Sequence, residues 1–489
     1  MTRAFLGVDC GTQSTKALLL DAETDHVLAM GRAPHRIIEE ADGTREQVPA
    51  WWLDATSTAI AEALAADGDV EVAGVGVSGQ QHGLVVLDAA DRPVRPAKLW
   101  NDTTTDPECA ALTVALGGPD RVMELTGNLL LAGYTAPKVA WLKGHEPDHY
   151  AAARRFCLPH DYLNLWLTGE FVAEPGDASG TAYVDARSRT YQPDVLAAID
   201  PARDWQASLP PIRPSLSVVG RLRGEVAATT GLPAGLPVSG GGGDNMCAAI
   251  GVGAVIEGPV VVSLGTSGTA FSHRDAPAVD PAAEAAAFCS STGAWLPLVC
   301  TLNCTLATEW VRGLMGLDRA AFDAAIEAAP AGARGVLFLP HLAGERTPNV
   351  PHGAGVFVGL RAEHGTADLV RAVVEGVTLG LAYALGALRR TGVEPAEITL
   401  VGGGSASDAW AQVCADAFEL PVRRDPAAEA AALGAARQVR HVVDGTPLGG
   451  IEGGAGDPGR RFEPRPSPAL RAAAERLALV RQASIRGEL

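Results

Sequence analysis

The sequence predicts a duplicated α/β protein with a cleft between its two halves. Three observations carry this. Along the N-terminal stretch, strand patterns precede helix patterns, the mark of an α/β sheet layer. The segment Asp9-Cys10-Gly11-Thr12-Gln13-Ser14-Thr15 has a weak echo in Ser263-Leu264-Gly265-Thr266-Ser267-Gly268-Thr269, and each copy follows an apolar strand and turns on Gly-Thr. A chain of 489 residues, 47% hydrophobic and 20% charged, is long enough for two large domains and apolar enough to bury their cores.

The elements follow in order. The apolar run 4–8 reads as a strand, 10–13 as a turn, 16–20 as a second strand and 26–38 as a third. Residues 50–65 read as a helix, because Trp52, Ala55, Thr56, Ala59, Ile60, Ala63 and Leu64 recur at helical spacing. Strands follow at 70–77 and 84–87. The stretch 209–243 is rich in Pro and Gly and ends in Gly240-Gly241-Gly242-Gly243-Asp244. A short helix is expected at 245–250. The domain boundary is placed near 250, giving halves 1–250 and 251–489. The second half restarts with strands 260–264 and 269–272 around a turn. Then come a helix at 368–391, a strand at 398–401 entering Gly402-Gly403-Gly404-Ser405, a helix at 408–418, a loop-like stretch at 445–468 and a terminal helix at 469–482.

Composition excludes several classes. Lys+Arg 39 against Asp+Glu 57 gives a formal net charge of −18. That balance repels phosphate backbones and anionic lipid, so neither a nucleic acid nor a membrane is an expected partner. The eight cysteines are scattered with no CxxC pair and read as buried thiols from a reducing compartment. The N-terminal apolar stretch is too short for a secretory segment, and no apolar run approaches the ~20 residues of a membrane helix. A cytoplasmic protein is expected.

Three motifs mislead. Gly74-Val75-Gly76-Val77-Ser78-Gly79 has dinucleotide-binding spacing, but a hairpin, not a helix, is expected after it. His145-Glu146-Pro147-Asp148-His149 matches HExxH. Pro147 disfavours the helix that would put both histidines on one face, so a loop between helices is expected. A Walker A loop needs Gly-Lys, and none of Lys16, Lys98, Lys138 and Lys143 follows a glycine.

Three glycine loops have another chemistry. Gly11-Thr12-Gln13-Ser14, Gly265-Thr266-Ser267-Gly268 and Gly402-Gly403-Gly404-Ser405 offer backbone N–H groups and small hydroxyls, which hold phosphate oxygens without lysine. One such loop is an ordinary turn. Three, at the openings of both halves and at a strand–helix junction, point to a nucleotide between two lobes. Asp9 either starts a turn or helps place hydrated Mg²⁺ on the polyphosphate. Asp244 either caps its helix or has a chemical role; four glycines before it fit a backbone that something must approach.

The chain resembles the FGGY family of carbohydrate kinases from about Phe5 to His441. The motifs that carry the resemblance include Gly7-Val8-Asp9-Cys10-Gly11-Thr12, Ser78-Gly79-Gln80-Gln81-His82-Gly83, Leu99-Trp100-Asn101-Asp102, Gly133-Tyr134-Thr135-Ala136-Pro137-Lys138, Gly241-Gly242-Gly243-Asp244-Asn245, Gly344-Glu345-Arg346-Thr347-Pro348 and Val401-Gly402-Gly403-Gly404. Gly144 and His160 depart from the family pattern. The resemblance implies two actin-like (ribonuclease-H-like) domains with ATP and sugar in the cleft. It implies Asp244, ionised at neutral pH, as catalytic base. Gln81 and His82 become the sugar-contacting pair, with Asn101, Asp102 and Asn245 beside them. Gly11, Thr12, Gln13, Gly265, Thr266, Gly403, Gly404 and Asp408 fall at nucleotide positions, and Asp9 remains the candidate catalytic carboxylate that places Mg²⁺ through water. The implied reaction is transfer of the γ-phosphoryl of ATP to O5 of D-xylulose. Gln81-His82 points to that sugar by resemblance alone, so L-xylulose, ribulose, gluconate and glycerol stay open, as does a homodimer. A non-catalytic actin-like filament former would not need the Gln81-His82 and Asp244-Asn245 sets, and a sugar-sensing regulator would need a basic helix-turn-helix, whereas the acidic first 50 residues begin directly with the phosphate hairpin. An NAD-dependent dehydrogenase rests only on the misleading GxGxxG.

Overall fold

A computed structural model describes residues 1–66, 68–425, 429–451 and 459–488. The strand Thr2–Cys10 is buried from Ala4 onward, since its apolar run leaves no face for water. It pairs antiparallel with Ser14–Asp21, which pairs antiparallel with Val27–Pro34. On its other side it runs parallel to Val70–Gly79, with Pro237–Ser239 and Val218–Arg221 beyond. A short strand, Gly242–Gly243, pairs with the end of Val70–Gly79.

The second half repeats this order. Pro259–Leu264 pairs antiparallel with Gly268–Ser272, which pairs with Trp295–Thr301. On the other side lie the parallel strands Glu397–Val401 and Val422–Arg424. The weak sequence echo is therefore a structural repeat: two ribonuclease-H-like sheets of the actin type. Asp9 opposite Ser78 and Ser263 opposite Val401 hold equivalent register positions.

Helices cover both sheets. Pro49–Ala66 buries Trp52, Ala59, Ile60 and Ala63 against the first. Thr366–Arg390 is long and apolar enough by composition to cross a membrane, although charged residues interrupt it. Its apolar side chains, among them Val370, Val373, Val377, Leu381 and Leu385, fill the core of the second lobe. Helix Ala430–Asp444 belongs to the second half in sequence but lies on the first sheet. Gly7 and Gly76 make this possible, because a Cβ on either would run into the backbone of Ala432 or Ala435. The same helix packs on Asp244–Gly251 through Gly251 and Gly434.

No helix follows Gly79, because the chain turns through His82 in a left-handed conformation (φ 63°). As expected, the run through Val85–Leu87 turns back in a hairpin at Asp88–Pro93, with Val94 N–H donating to Val86 O at 2.9 Å, and on its other side it pairs with Arg155–Cys157 in a separate small sheet. The stretch 145–149, expected as a loop, is not one. Helices Thr135–His145 and Pro147–Ala152 meet at Glu146 alone. His145 pairs with Glu108 and His149 with Glu146, so the HExxH histidines share no ligand face. The loop expected at 445–468 lies partly outside the described residues; the terminal helix is Pro468–Ile485.

Candidate active site

Three strands of the first sheet run parallel and end together, which is where α/β sheets place their ligands. Thr2–Cys10 delivers Asp9, Val70–Gly79 delivers Gln81 and His82, and Gly242–Gly243 delivers Asp244. Asp9 is buried. Its Oδ1 accepts from Ser78 Oγ at 3.0 Å and its Oδ2 from Lys16 Nζ at 3.1 Å. Lys16 also pairs with Glu429 at 3.0 Å, tying the first hairpin to the second half. The sequence reading missed Lys16. The hairpin register held the signal, since Asp9 and Lys16 are cross-strand partners.

Asp244 is the first residue of helix Asp244–Gly251, with Gly243 in the cap position. It is half-buried. Burial pushes its carboxyl up to about 7 and the nearby Asp9 carboxylate adds to the rise, against the pull of Asn245 and Lys16. Desolvation and the neighbouring carboxylate thus both favour the protonated form of this group more than in an ordinary aspartate. Its Oδ1 accepts from the Asn245 backbone N–H at 2.8 Å and from Asn245 Nδ2 at 3.0 Å. Asn245 Nδ2 also donates to Gln81 Oε1 at 3.0 Å. Gln81 Nε2 is buried and has no protein partner among the described residues. An amide N–H in that state is a vacant donor beside the base.

His82 is set by its neighbours. Its Nδ1 lies 2.7 Å from Gly180 O. A carbonyl only accepts, so Nδ1 carries the proton and Nε2 is the ring's acceptor. Burial pushes the ring down to about 3, helped by the Lys138 and Arg346 cations, so it is neutral at pH 7. Lys138 Nζ (2.9 Å) and Thr135 Oγ1 (3.2 Å) donate to the His82 carbonyl, which gives the Thr-Ala-Pro-Lys motif its reason. Tyr134 and Phe288 flank the imidazole at ring-centroid distances of 4.6 and 5.7 Å. Phe288 comes from the second half, so this wall joins the lobes.

The Asn101-Asp102 segment divides by role. Asn101 Oδ1 is buried and has no partner among the described residues. Asp102 is fully buried, with Lys98 at 3.1 Å and bonds from the Arg45 N–H and from Thr104. Its carboxylate is consumed in shaping the segment that carries Asn101.

The glycine loops are equally specific. The Gly11 N–H closes its turn on Ser14 O, and the Thr12 hydroxyl receives Trp100 Nε1 at 3.0 Å. Gln47 Nε2 holds the Thr12 carbonyl at 2.8 Å. The Thr12 and Gln13 amides have no protein partner among the described residues. In the second lobe, the N–H groups of Cys304, Thr305 and Leu306 fix the carbonyls of Gly265 and Thr266. Gly403 has open space where a Cβ would stand, whereas a Cβ on Gly404 would press on Leu264 and Trp410 at 2.8 Å. Gly403 is the open position of the pair, and Gly404 is a packing glycine. Asp408 starts helix Asp408–Phe418 and is occupied by Arg424 (3.0 Å) and Arg460. The four glycines before Asp244 do meet something at close range, but it is protein. Ser215, Val77, Ser291 and Gln81 fill the places of the missing Cβ atoms at Gly240, Gly241, Gly242 and Gly243 in turn.

Two actin-like lobes, with glycine–threonine hairpins and the carboxylates of Asp9 and Asp244 at the ends of parallel strands, define a two-lobed phosphotransferase of the actin type. Residues 4–251 match the N-terminal domain of the FGGY family of carbohydrate kinases, and residues 260–439 match the C-terminal domain. The chain belongs to this family, whose kinases use ATP and a sugar. It is 40% identical over 441 residues to a xylulose kinase of Haemophilus influenzae, covering 89% of this chain and 90% of that one. It is 42% identical over 448 residues to a xylulose kinase of Streptomyces coelicolor, covering 90% and 88%. The crystal structure of a xyloylose kinase from Brucella ovis superposes with a TM-score of 0.92 at 35% identity, covering 98% and 99%.

Proposed function

We propose that this kinase transfers the γ-phosphoryl of ATP to O5 of D-xylulose. The sugar site and base lie in residues 1–250, and the larger share of the nucleotide site lies in 251–489. The observation that carries the reading is the row Asp244–Asn245–Gln81, which ends in a buried, vacant amide N–H next to a neutral His82. Relatives named for xylulose, at 40–42% identity over nine-tenths of the chain, support the choice of sugar.

Asp244 accepts the hydroxyl proton as the sugar oxygen attacks in line. Asn245 holds that carboxylate through Oδ1, leaving Oδ2 for the proton. Gln81 Nε2 donates to a sugar oxygen, while His82 Nε2 and Asn101 Oδ1 accept from its hydroxyls. The amides at Thr12 and Gln13 hold phosphate oxygens. Lys16 supplies positive charge beside Asp9. Closure of the lobes excludes water, which would otherwise take the phosphoryl group.

Asp9 suits Mg²⁺ held through water. Among the described residues no group of three or more acidic, His or Cys side chains forms a cage, so the nucleotide and water supply most ligands of such an ion. When bound, it offsets charge on the phosphate oxygens.

Two results test the reading. ADP release across a panel of pentuloses and polyols, with a no-sugar control, is expected to be fastest with D-xylulose. A faster turnover of gluconate or glycerol would overturn the assigned sugar. Gly180→Ala places a Cβ at 2.5 Å from the His82 ring. It is expected to raise KM for the sugar by about tenfold, one misplaced hydrogen bond, while KM for ATP stays unchanged.

A further inference from the structure

Gln438 lies on helix Ala430–Asp444 and is fully buried. Its side chain makes four hydrogen bonds. Oε1 accepts from the Gly241 N–H at 2.7 Å and from Ser239 Oγ at 2.8 Å. Nε2 donates to Gly241 O at 2.9 Å and to Ser291 O at 3.0 Å. Four is the full capacity of a primary amide, so the contact is saturated and fixed in direction. It grips both polar groups of one glycine, and that glycine stands three residues before Asp244.

The partners come from two places. Ser239 ends strand Pro237–Ser239, and Gly241 directly precedes strand Gly242–Gly243, which carries Asp244. Ser291 follows strand Ala286–Cys289 at the edge of the second sheet. Helix Ala430–Asp444 also packs along Asp244–Gly251. Gly240 is held separately, its carbonyl accepting from His160 Nε2 (2.8 Å) and Asn164 Nδ2 (3.1 Å). Those two anchors lie within the first half. Gln438 is the side chain that ties the same glycine run to Ser291 in the second half.

We propose that Gln438 is a positioning residue for Asp244, setting the carboxylate against the acceptor hydroxyl and linking that setting to the second lobe. This rests on the reading of Asp244 as the base. The test is steady-state kinetics of Gln438→Met, which keeps the length and removes all four bonds, and of Gln438→Glu, which keeps both acceptor contacts and loses both donors. Melting temperatures are measured alongside, and assays are run well below them. Gln438→Met is expected to lose about 100-fold in kcat, the cost of an ångström-scale misplacement, while KM for D-xylulose and ATP moves less than about threefold. Gln438→Glu is expected to fall between it and the native enzyme. The acid limb of the kcat profile is expected to move in both variants, which general destabilisation does not produce. If Gln438→Met does not fold, Gln438→Glu carries the test with the same split between kcat and KM. Native kcat per folded molecule in either variant overturns the proposal. A native enzyme without sugar-dependent ADP release instead overturns the reading of the site, and takes the role of Gln438 with it.

Discussion

Asp244→Asn is expected to lose about 10³-fold in kcat, in the middle of the range for a general base, with KM for ATP nearly unchanged. The amide keeps the shape of the side chain and its contact with Asn245 but cannot take a proton. The native enzyme is expected to lose kcat/KM as pH falls through about 7, since only the ionised form accepts the hydroxyl proton. Stability moves the other way. A carboxyl raised to about 7 in the folded state, from an ordinary value near 4 when unfolded, favours folding while it stays protonated. That contribution is present below the unfolded value and lost as pH rises through about 7. The melting-temperature gain of Asp244→Asn over the native enzyme is therefore expected to be larger at about pH 8 than at about pH 5. Turnover near the native rate in a folded Asp244→Asn variant would remove the base from the mechanism.

Asp9→Asn is expected to have the next largest effect, a loss of roughly 10²-fold in kcat, the scale of removing one preorganised electrostatic group. It leaves Lys16 with Glu429 as its remaining carboxylate partner. It also removes the like charge that raises Asp244. The acid limb of kcat/KM is therefore expected to move to lower pH in the variant. A structural role for Asp9 predicts lower activity with no such displacement, so the pH profile separates the two. The concentration of Mg²⁺ needed for half-maximal rate is expected to rise as well.

Local features were legible in the sequence, and contacts between distant segments were not. The helix at 408–418 and the two glycine–threonine hairpins carry their own signals: a serine before the helix, an apolar run before each turn. The sequence echo was legible for the same reason. The position of helix Ala430–Asp444 was not, because its fit depends on Gly7 and Gly76, hundreds of residues away. Asp102 shows the limit at a single residue. Its motif pointed to the sugar, but its partners Lys98, Arg45 and Thr104 decide what the carboxylate is free to do. The four glycines pointed to a close approach, and only the fold identified the approaching groups as Ser215, Val77, Ser291 and Gln81.

The most direct test of the central claim is phosphorus NMR of a reaction containing the enzyme, ATP, Mg²⁺ and D-xylulose. One new phosphomonoester, coupled to the protons on C5 and formed in step with ADP, is expected. An ester at another carbon, or ADP accompanied only by inorganic phosphate, would contradict it.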